Sequence, residues 1–224
     1  MEATFTAILL MAGEGKRLGS PLPKQFHSLG SQKIYQHTLQ TLMNADIFQQ
    51  IVLVCHPTWM AEVEREIPQH PSLCVVAGGL TRQASSWLGL QACNPQPQYV
   101  MIHDAVRPFV TQDILKRNRT AVLQHGAVNT CIPSADTLVQ HENQFITAIP
   151  PRRNFLRGQT PQTFKYQLII EAHQKTEQTE ATDDCSLVLE QGHPIAVVMG
   201  EEDNMKITTE RDVQLAQWLF EKTK

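Results

Sequence analysis

The chain lacks an excess of positive charge: 19 Lys and Arg stand against 22 Asp and Glu, a formal net charge of -3 at pH 7. No global basic field is present to hold nucleic acid, and no run of like charges forms a tail, so any local cluster of cations needs a local explanation. Long apolar runs are missing too. The longest, "AILLMA" and "IVLVC", are far too short to span a bilayer, and the first strand begins so early that no signal or transit peptide is expected. The five cysteines, Cys55, Cys74, Cys93, Cys131 and Cys185, form no CxxC pair and are odd in number, which argues against a disulfide framework and a zinc site. A reduced, cytoplasmic setting is therefore expected. Repeats, low-complexity stretches and linkers are absent as well, and 224 residues that are 42% hydrophobic can bury the core of one domain, so a single domain over 1–224 is expected.

What is present is an alternation of short apolar runs with segments of helical period. "TAILLMA" precedes 33–44, "QIVLVC" precedes 58–67, "LCVVA" precedes 81–93 and "QYVMIHD" precedes 111–124. Strands apolar on both faces are strands covered on both sides by helices, so the pattern predicts an α/β three-layer sandwich around a mostly parallel, Rossmann-like sheet. After "GAVNTCIP" the rhythm breaks. Residues 137–149 read as two short alternating strands around a polar turn, His141 to Gln144, within a protruding β-arm at about 134–157. A lone two-stranded ribbon is marginal in water, so the arm is expected to pack on another subunit or on the rim of its own domain. Helices at 164–176, 183–191 and 209–221 and a strand at 195–199 complete the chain.

Chemistry gathers where strands end. "MAGEGKRLGSPLPKQF" follows the first strand with Gly13, Gly15, Lys16, Arg17 and Lys24. A dinucleotide fingerprint would need glycine at position 18, which is Leu18, and the phosphate-loop pattern fails for want of Ser or Thr after Gly-Lys. Three cations suit a more highly charged group than a shared pyrophosphate: a triphosphate, or the transition state at its α-phosphorus. A solvated basic turn has the same composition, so companions must decide. In "MIHDAVRPF", Asp104 ends a strand at the edge where parallel sheets bind ligands, placed to hold Mg²⁺ against phosphate or to cap a turn, and Arg107 follows it by three. "AGGLTRQAS" offers glycines and hydroxyls at a helix entry. "EEDNMKITTERD" brings Asp203 and Lys206 to what should be the same edge, unless it is an ordinary solvated loop. "PPRRNFLRGQTPQTF" crowds Arg152, Arg153 and Arg157 about a turn bearing Thr160, and "TDDCS" sets Thr182 before a helix, a set able to hold a phosphomonoester.

In this order, "MAGEGKRLG…LPKQF", "AGGLTRQAS", "HDAVRP", "DT", "PR…QTPQ", "TDDCS" and "DNMKIT", the motifs resemble the 2-C-methyl-D-erythritol 4-phosphate cytidylyltransferases over nearly the whole chain. The related ribitol-5-phosphate cytidylyltransferases share most of them, including "HDAVRPF" and "GQTPQ". The resemblance implies transfer of CMP from CTP to a sugar-alcohol phosphate. It assigns Ala12, Gly13, Gly15 and Arg17 to the CTP phosphates and ribose, Lys24 to the α-phosphate, and Gly79 and Ser85 to the nucleotide. Arg17, Lys24 and Lys206 become the catalytic cations, and Asp104 takes Mg²⁺; Asp203 is added as a metal candidate on its expected location. Arg107, Thr137, Arg152, Thr160 and Thr182 would serve the acceptor, Arg152 being preferred to Arg153 on its spacing of eight from Thr160. In such enzymes the arm crosses a homodimer, so Thr137 and Arg152 would serve the neighbour's site. Departures from the family pattern fall at Leu10 and Met11, at Leu80 and at Asp184, and none removes a cation or the metal carboxylate.

Overall fold

The computed structural model of the chain describes residues 2–13 and 22–222. Strand β1 (Phe5–Met11) leads, beyond the glycine loop, to a small hairpin of β2 (Ser28–Leu29) and β3 (Gln32–Lys33) and then to helix α1 (Ile34–Met43). Strand and helix then alternate as the apolar pattern requires: β4 (Phe48–Cys55), α2 (Met60–Glu66), β5 (Leu73–Ala77), α3 (Arg82–Gln91), β6 (Tyr99–Asp104) and α4 (Gln112–His125). Strand β7 (Ala127–Pro133) precedes the arm hairpin, β8 (Gln140–Glu142) and β9 (Phe145–Ala148). Strand β10 (Leu156–Lys165), helices α5 (Tyr166–Lys175) and α6 (Cys185–Glu190), strand β11 (Ala196–Met199) and helix α7 (Glu210–Lys222) follow. Among the described residues, no helix is long and apolar enough to cross a membrane.

The central sheet has seven strands in the order β11-β7-β10-β6-β1-β4-β5. All neighbouring pairs are parallel except those of β10, which runs antiparallel to both β6 and β7. The mostly parallel sheet expected from the sequence is thus present. Strand β1 is buried along its whole length, and its alternate residues face opposite layers. Ile8 and Leu10 pack with Leu90 of α3, Ile169 of α5 and Val188 of α6, while Ala7, Leu9 and Met11 pack with Leu39 of α1, Val63 of α2 and Ile114 of α4. Local chemistry fixes where the helices start and stop. The Thr81 and Thr111 hydroxyls accept from the third backbone N–H of α3 and α4, and Gly126 ends α4 in the left-handed region at φ 79°.

Two features differ from, or sharpen, the sequence pattern. The "turn" around Thr160 is part of β10: glycine, proline and glutamines mask the strand, and its register shifts between Gly158 and Gln162, where a proline can sit without losing a ladder bond. The arm hairpin closes on two residues, Asn143 and Gln144, both at positive φ (45° and 71°), which is the twist a two-residue hairpin loop demands. Among the described residues its two strands pair only with each other, and every residue in them is exposed.

Gly89 shows how closely α3 lies on the sheet, since a Cβ built there would come within 2.6 Å of Ile8 Cγ2 and 2.8 Å of Val54 Cγ2. Valine at that position overpacks a core that has no slack. Gly89→Val should therefore lower the unfolding free energy by about 1–3 kcal/mol in urea titrations; an unchanged midpoint and slope would show that the helix can lift off the sheet at no cost.

Candidate functional site

A cleft of about 710 Å³ opens at the carboxyl ends of β1, β4 and β6. Its walls come from segments far apart in sequence: Ala12 and Gly13 after β1, Lys24, Gly79 and Ser85 around the start of α3, Asp104 at the end of β6, Thr182 before α6, and Lys206. Eight residues singled out in the sequence therefore meet in one place. Gly15 and Arg17 lie outside the described residues.

Lys24 is set by its neighbours. It opens a short 3-10 turn, Lys24–Phe26, whose next residue, Gln25, is buried and donates from Nε2 to the carbonyls of Met11 (2.7 Å) and Gly13 (3.0 Å). Phe26 is wedged between Tyr35 and Trp59, with ring centroids at 5.7 and 4.9 Å. The Lys24 turn is thereby clamped to the start of the glycine loop, with Gln25 also in the cleft wall.

Among the described residues Asp104 is the carboxylate that lines the cleft, and three cations surround it. Lys206 Nζ lies 2.9 Å from Oδ2, Arg107 Nε 3.6 Å from Oδ2, and Arg82 Nε 3.6 Å from Oδ1. Burial alone would push this carboxyl up, but the charges of Lys206, Arg82 and Arg107 outweigh it and hold the group well below the usual carboxylate range. It is ionised at any working pH. A plain cap for the following turn, the alternative open from sequence, does not describe a side chain so engaged.

Arg107 and Thr160 stand behind Asp104 and are both buried. Arg107 Nη1 donates to the Asn204 carbonyl at 2.7 Å, and the Asn204 amide in turn donates to the Thr160 carbonyl at 2.9 Å. Thr160 Oγ1 accepts from the Asp104 backbone N–H (3.1 Å) and lies 3.0 Å from His103 Nδ1. Burial pushes His103 down to about 4, so its ring is neutral; the contact of Nε2 with the Arg107 carbonyl then puts the proton on Nε2 and leaves Nδ1 to accept from the threonine. Thr137 and Arg152 sit on the exposed arm segment away from the cleft wall, where Arg152 Nη1 donates to the Ala135 carbonyl at 2.7 Å. Asp203 is exposed and does not line the cleft, so the structure does not bring it to Asp104.

Arg82 is the residue that sequence reasoning passed over, although it stands inside "AGGLTRQAS". Its Nη1 meets Asp184 Oδ2 at 2.6 Å, across 102 positions of sequence. Asp184 is almost fully buried, and its Oδ1 also accepts from Ser86 Oγ (2.6 Å) and His173 Nε2 (3.0 Å). No signal in a single sequence pairs residues at that separation. Arg82, Leu80 and Gln25 all belong to the cleft wall.

Among the described residues no three His, Cys, Asp or Glu side chains gather as a metal cage. The donor set present is one buried, ionised carboxylate facing an open cleft. That suits a hard divalent ion of the Mg²⁺ kind, which commonly takes one or two carboxylates and completes its shell with phosphate oxygens and water.

A model of the family described as IspD, 2-C-methyl-D-erythritol 4-phosphate cytidylyltransferase, matches residues 5–222. The chain belongs to this family. Among its relatives are a 2-C-methyl-D-erythritol 4-phosphate cytidylyltransferase of Alkaliphilus oremlandii, 33% identical over 95% of this chain and 93% of that one, and a ribitol-5-phosphate cytidylyltransferase of Lactiplantibacillus plantarum, 34% identical over 96% and 98%. The structure is similar to that of 4-diphosphocytidyl-2C-methyl-D-erythritol synthase from Anaerococcus prevotii, with a TM-score of 0.87 at 28% identity over 98% of this chain and 99% of that one. Membership of this cytidylyltransferase family makes the chain a nucleotidyltransferase.

Asp184 carries a pH signature. Burial pushes its carboxyl up, but Arg82 and the hydrogen bond from His173 more than offset that and hold it at about 2, against the usual 3.8. A depressed carboxyl contributes stability that is present above 3.8 and lost as pH falls toward 2. Asp184→Asn should cost about 3–5 kcal/mol at neutral pH by leaving Arg82 short of its partner. In urea titrations the gap between variant and parent should narrow from pH 4 to pH 2; a gap independent of pH would contradict the carboxylate's role.

Proposed function

We propose that the chain transfers CMP from CTP to 2-C-methyl-D-erythritol 4-phosphate, giving 4-diphosphocytidyl-2-C-methyl-D-erythritol and pyrophosphate in the non-mevalonate route to isoprenoid precursors. The observation that carries the reading is the meeting of Lys24, Lys206 and Asp104 in one cleft at the carboxyl edge of a parallel sheet. An oxygen of the acceptor's phosphate attacks the α-phosphorus of CTP in line, and the bond to the bridging oxygen breaks with pyrophosphate as leaving group. A phosphate monoester dianion is already a competent nucleophile near neutral pH, so no protein nucleophile and no general base take part. The protein's work is positioning and charge stabilisation.

Lys24, braced by Gln25 and Phe26, supplies fixed positive charge beside the glycine loop. Lys206 is the most exposed of the three Asp104 partners, at 34% against 20% for Arg82 and 9% for Arg107, and so is the one able to turn from the carboxylate to an incoming phosphate. Asp104 would hold Mg²⁺ once that pairing opens. Bound there, the ion would neutralise phosphate charge and orient the triphosphate. Neutral His103 and Thr160 keep the Asp104 backbone in place.

The arm supports a homodimer. Phe145, Ile146 and Ile149 are 76%, 61% and 64% exposed, apolar side chains that a second copy of the chain would cover, carrying Thr137 and Arg152 toward the neighbour's acceptor. A cytoplasmic location agrees with the free cysteines.

Ribitol 5-phosphate is the competing acceptor, since a relative named for it is as similar to this chain as those named for methylerythritol phosphate. "TDDCS", which retains Thr182 and Ser186, favours methylerythritol phosphate. Pyrophosphate release measured with each of the four ribonucleoside triphosphates against both acceptors should single out CTP with methylerythritol phosphate; preferential use of ribitol 5-phosphate would reassign the acceptor, and no release with CTP would refute the reading. Under the productive pair, Lys24→Ala and Lys206→Ala should each lower kcat by about 100-fold or more with little change in Tm. Near-normal turnover in either variant would remove that lysine from the chemistry.

A further inference from the structure

We infer that Arg82 is a positioning residue that locks the segment carrying Thr182 against Asp104, so that acceptor and nucleotide are held in register; this rests on the CMP-transfer reading above. The guanidinium touches both carboxylates at once, with Nη1 2.6 Å from Asp184 Oδ2 and Nε 3.6 Å from Asp104 Oδ1. Arg82 is the first residue of α3, directly after the Thr81 cap, so its backbone is fixed to the Gly79 and Ser85 wall of the cleft. Ser85 Oγ itself accepts from the Gly79 N–H at 3.1 Å. Asp184 lies two residues beyond Thr182, another cleft residue, and its backbone N–H donates to Gln162 Oε1 on β10 at 3.0 Å. One planar fork therefore bridges three segments, the start of α3, the end of β6 and the entry to α6, and Ser86 to Asp184 and Ala181 to Gln83 reinforce the link between α3 and the α6 entry.

The geometry separates this role from simple charge pairing. The Asp184 carboxylate has two further donors in Ser86 and His173, and the Asp184 backbone N–H is taken up by Gln162, so its satisfaction does not rest on Arg82 alone. The contact to Asp104 is longer than a hydrogen bond and acts as a steady field instead. When Lys206 turns to phosphate, Arg82 and Arg107 remain to hold Asp104. Arginine is required for this by shape, because an ammonium is a single point of charge and cannot span two carboxylates on different walls. Among the described residues Arg82 Nη2 is buried without a hydrogen-bond partner, and the fork is placed by its Nε and Nη1 contacts.

The test compares the unmodified protein with Arg82→Gln, Arg82→Lys and Ser86→Ala. Steady-state kinetics are measured with each substrate varied, CTP binding by calorimetry, and Tm by scanning calorimetry. Arg82→Gln should lower kcat/KM for the acceptor by about 100-fold, the scale of a small misplacement, while CTP affinity changes by less than about threefold. Arg82→Lys should recover about tenfold of the loss. Ser86→Ala removes a donor from Asp184 without touching Asp104, and should lose Tm yet keep transfer within about threefold. Equal losses for acceptor and CTP, or losses in all three variants that simply follow Tm, would overturn the inference while leaving CMP transfer intact. Should Arg82→Gln fail to fold, Arg82→Lys decides: a folded protein with full activity toward the acceptor overturns the role, and a tenfold loss confined to the acceptor supports it. An unmodified protein that transfers no CMP would refute the functional reading, and this inference with it.

Discussion

Everything in the cleft turns on a single buried carboxylate that three cations keep ionised. Asp104 lies at the end of β6, in register with Leu10 of β1, where burial by itself would favour the neutral acid. Lys206, Arg82 and Arg107 reverse that preference, and each arrives from a different part of the chain. Removing one of the two less exposed partners, Arg107 or Arg82, would leave charge uncompensated, whereas water can replace the more exposed Lys206, so the folding of these distant segments and the electrostatics of the site are one problem. The three cations also differ in freedom. Arg107 is buried and tied to Asn204, Arg82 is tied to Asp184, and Lys206 has the greatest exposure, which makes it the member of the set that can exchange one anion for another.

Behind the charges stands a layer of neutral polar contacts that does not change sign with pH. His103 is kept uncharged by burial, and through Thr160 it fixes the backbone of Asp104, while Asn204 joins Arg107 to β10. Gln25 performs a comparable service for Lys24 by bridging to Met11 and Gly13. Most of their donors and acceptors are matched, Asn204 Oδ1 and Arg107 Nε being the exceptions among the described residues, and they let the charged groups begin in place.

The fold was largely legible from sequence because strands covered on both faces write themselves as continuous apolar runs, and β1, β4 and β6 do so. Strand β10 was not, since Gly158, Pro161 and two glutamines hide a strand whose pairing is interrupted at that same stretch. In the site, Asp104, Lys24 and Lys206 could be read because each follows a strand or a glycine-rich turn at an edge where ligands bind. Arg82 could not be, because its meaning lies in an ion pair to Asp184 that only the folded chain creates. Arg107 and Thr160, expected from the resemblance to serve the acceptor, are buried beside Asp104 and also brace it, and Thr137 and Arg152 lie on the arm, away from the cleft of their own chain. Spacing along a sequence reports that residues share an edge; it does not report which of them stand in front.

The most direct test is a crystal structure of the protein with CTP and Mn²⁺, the ion located by anomalous scattering. The α-phosphate should lie against Lys24 and Lys206, with the Mn²⁺ peak beside Asp104 and Lys206 moved off that carboxylate. A triphosphate bound elsewhere, or an Asp104 that keeps its pairing with Lys206 and takes no metal, would contradict the central place given to this carboxylate.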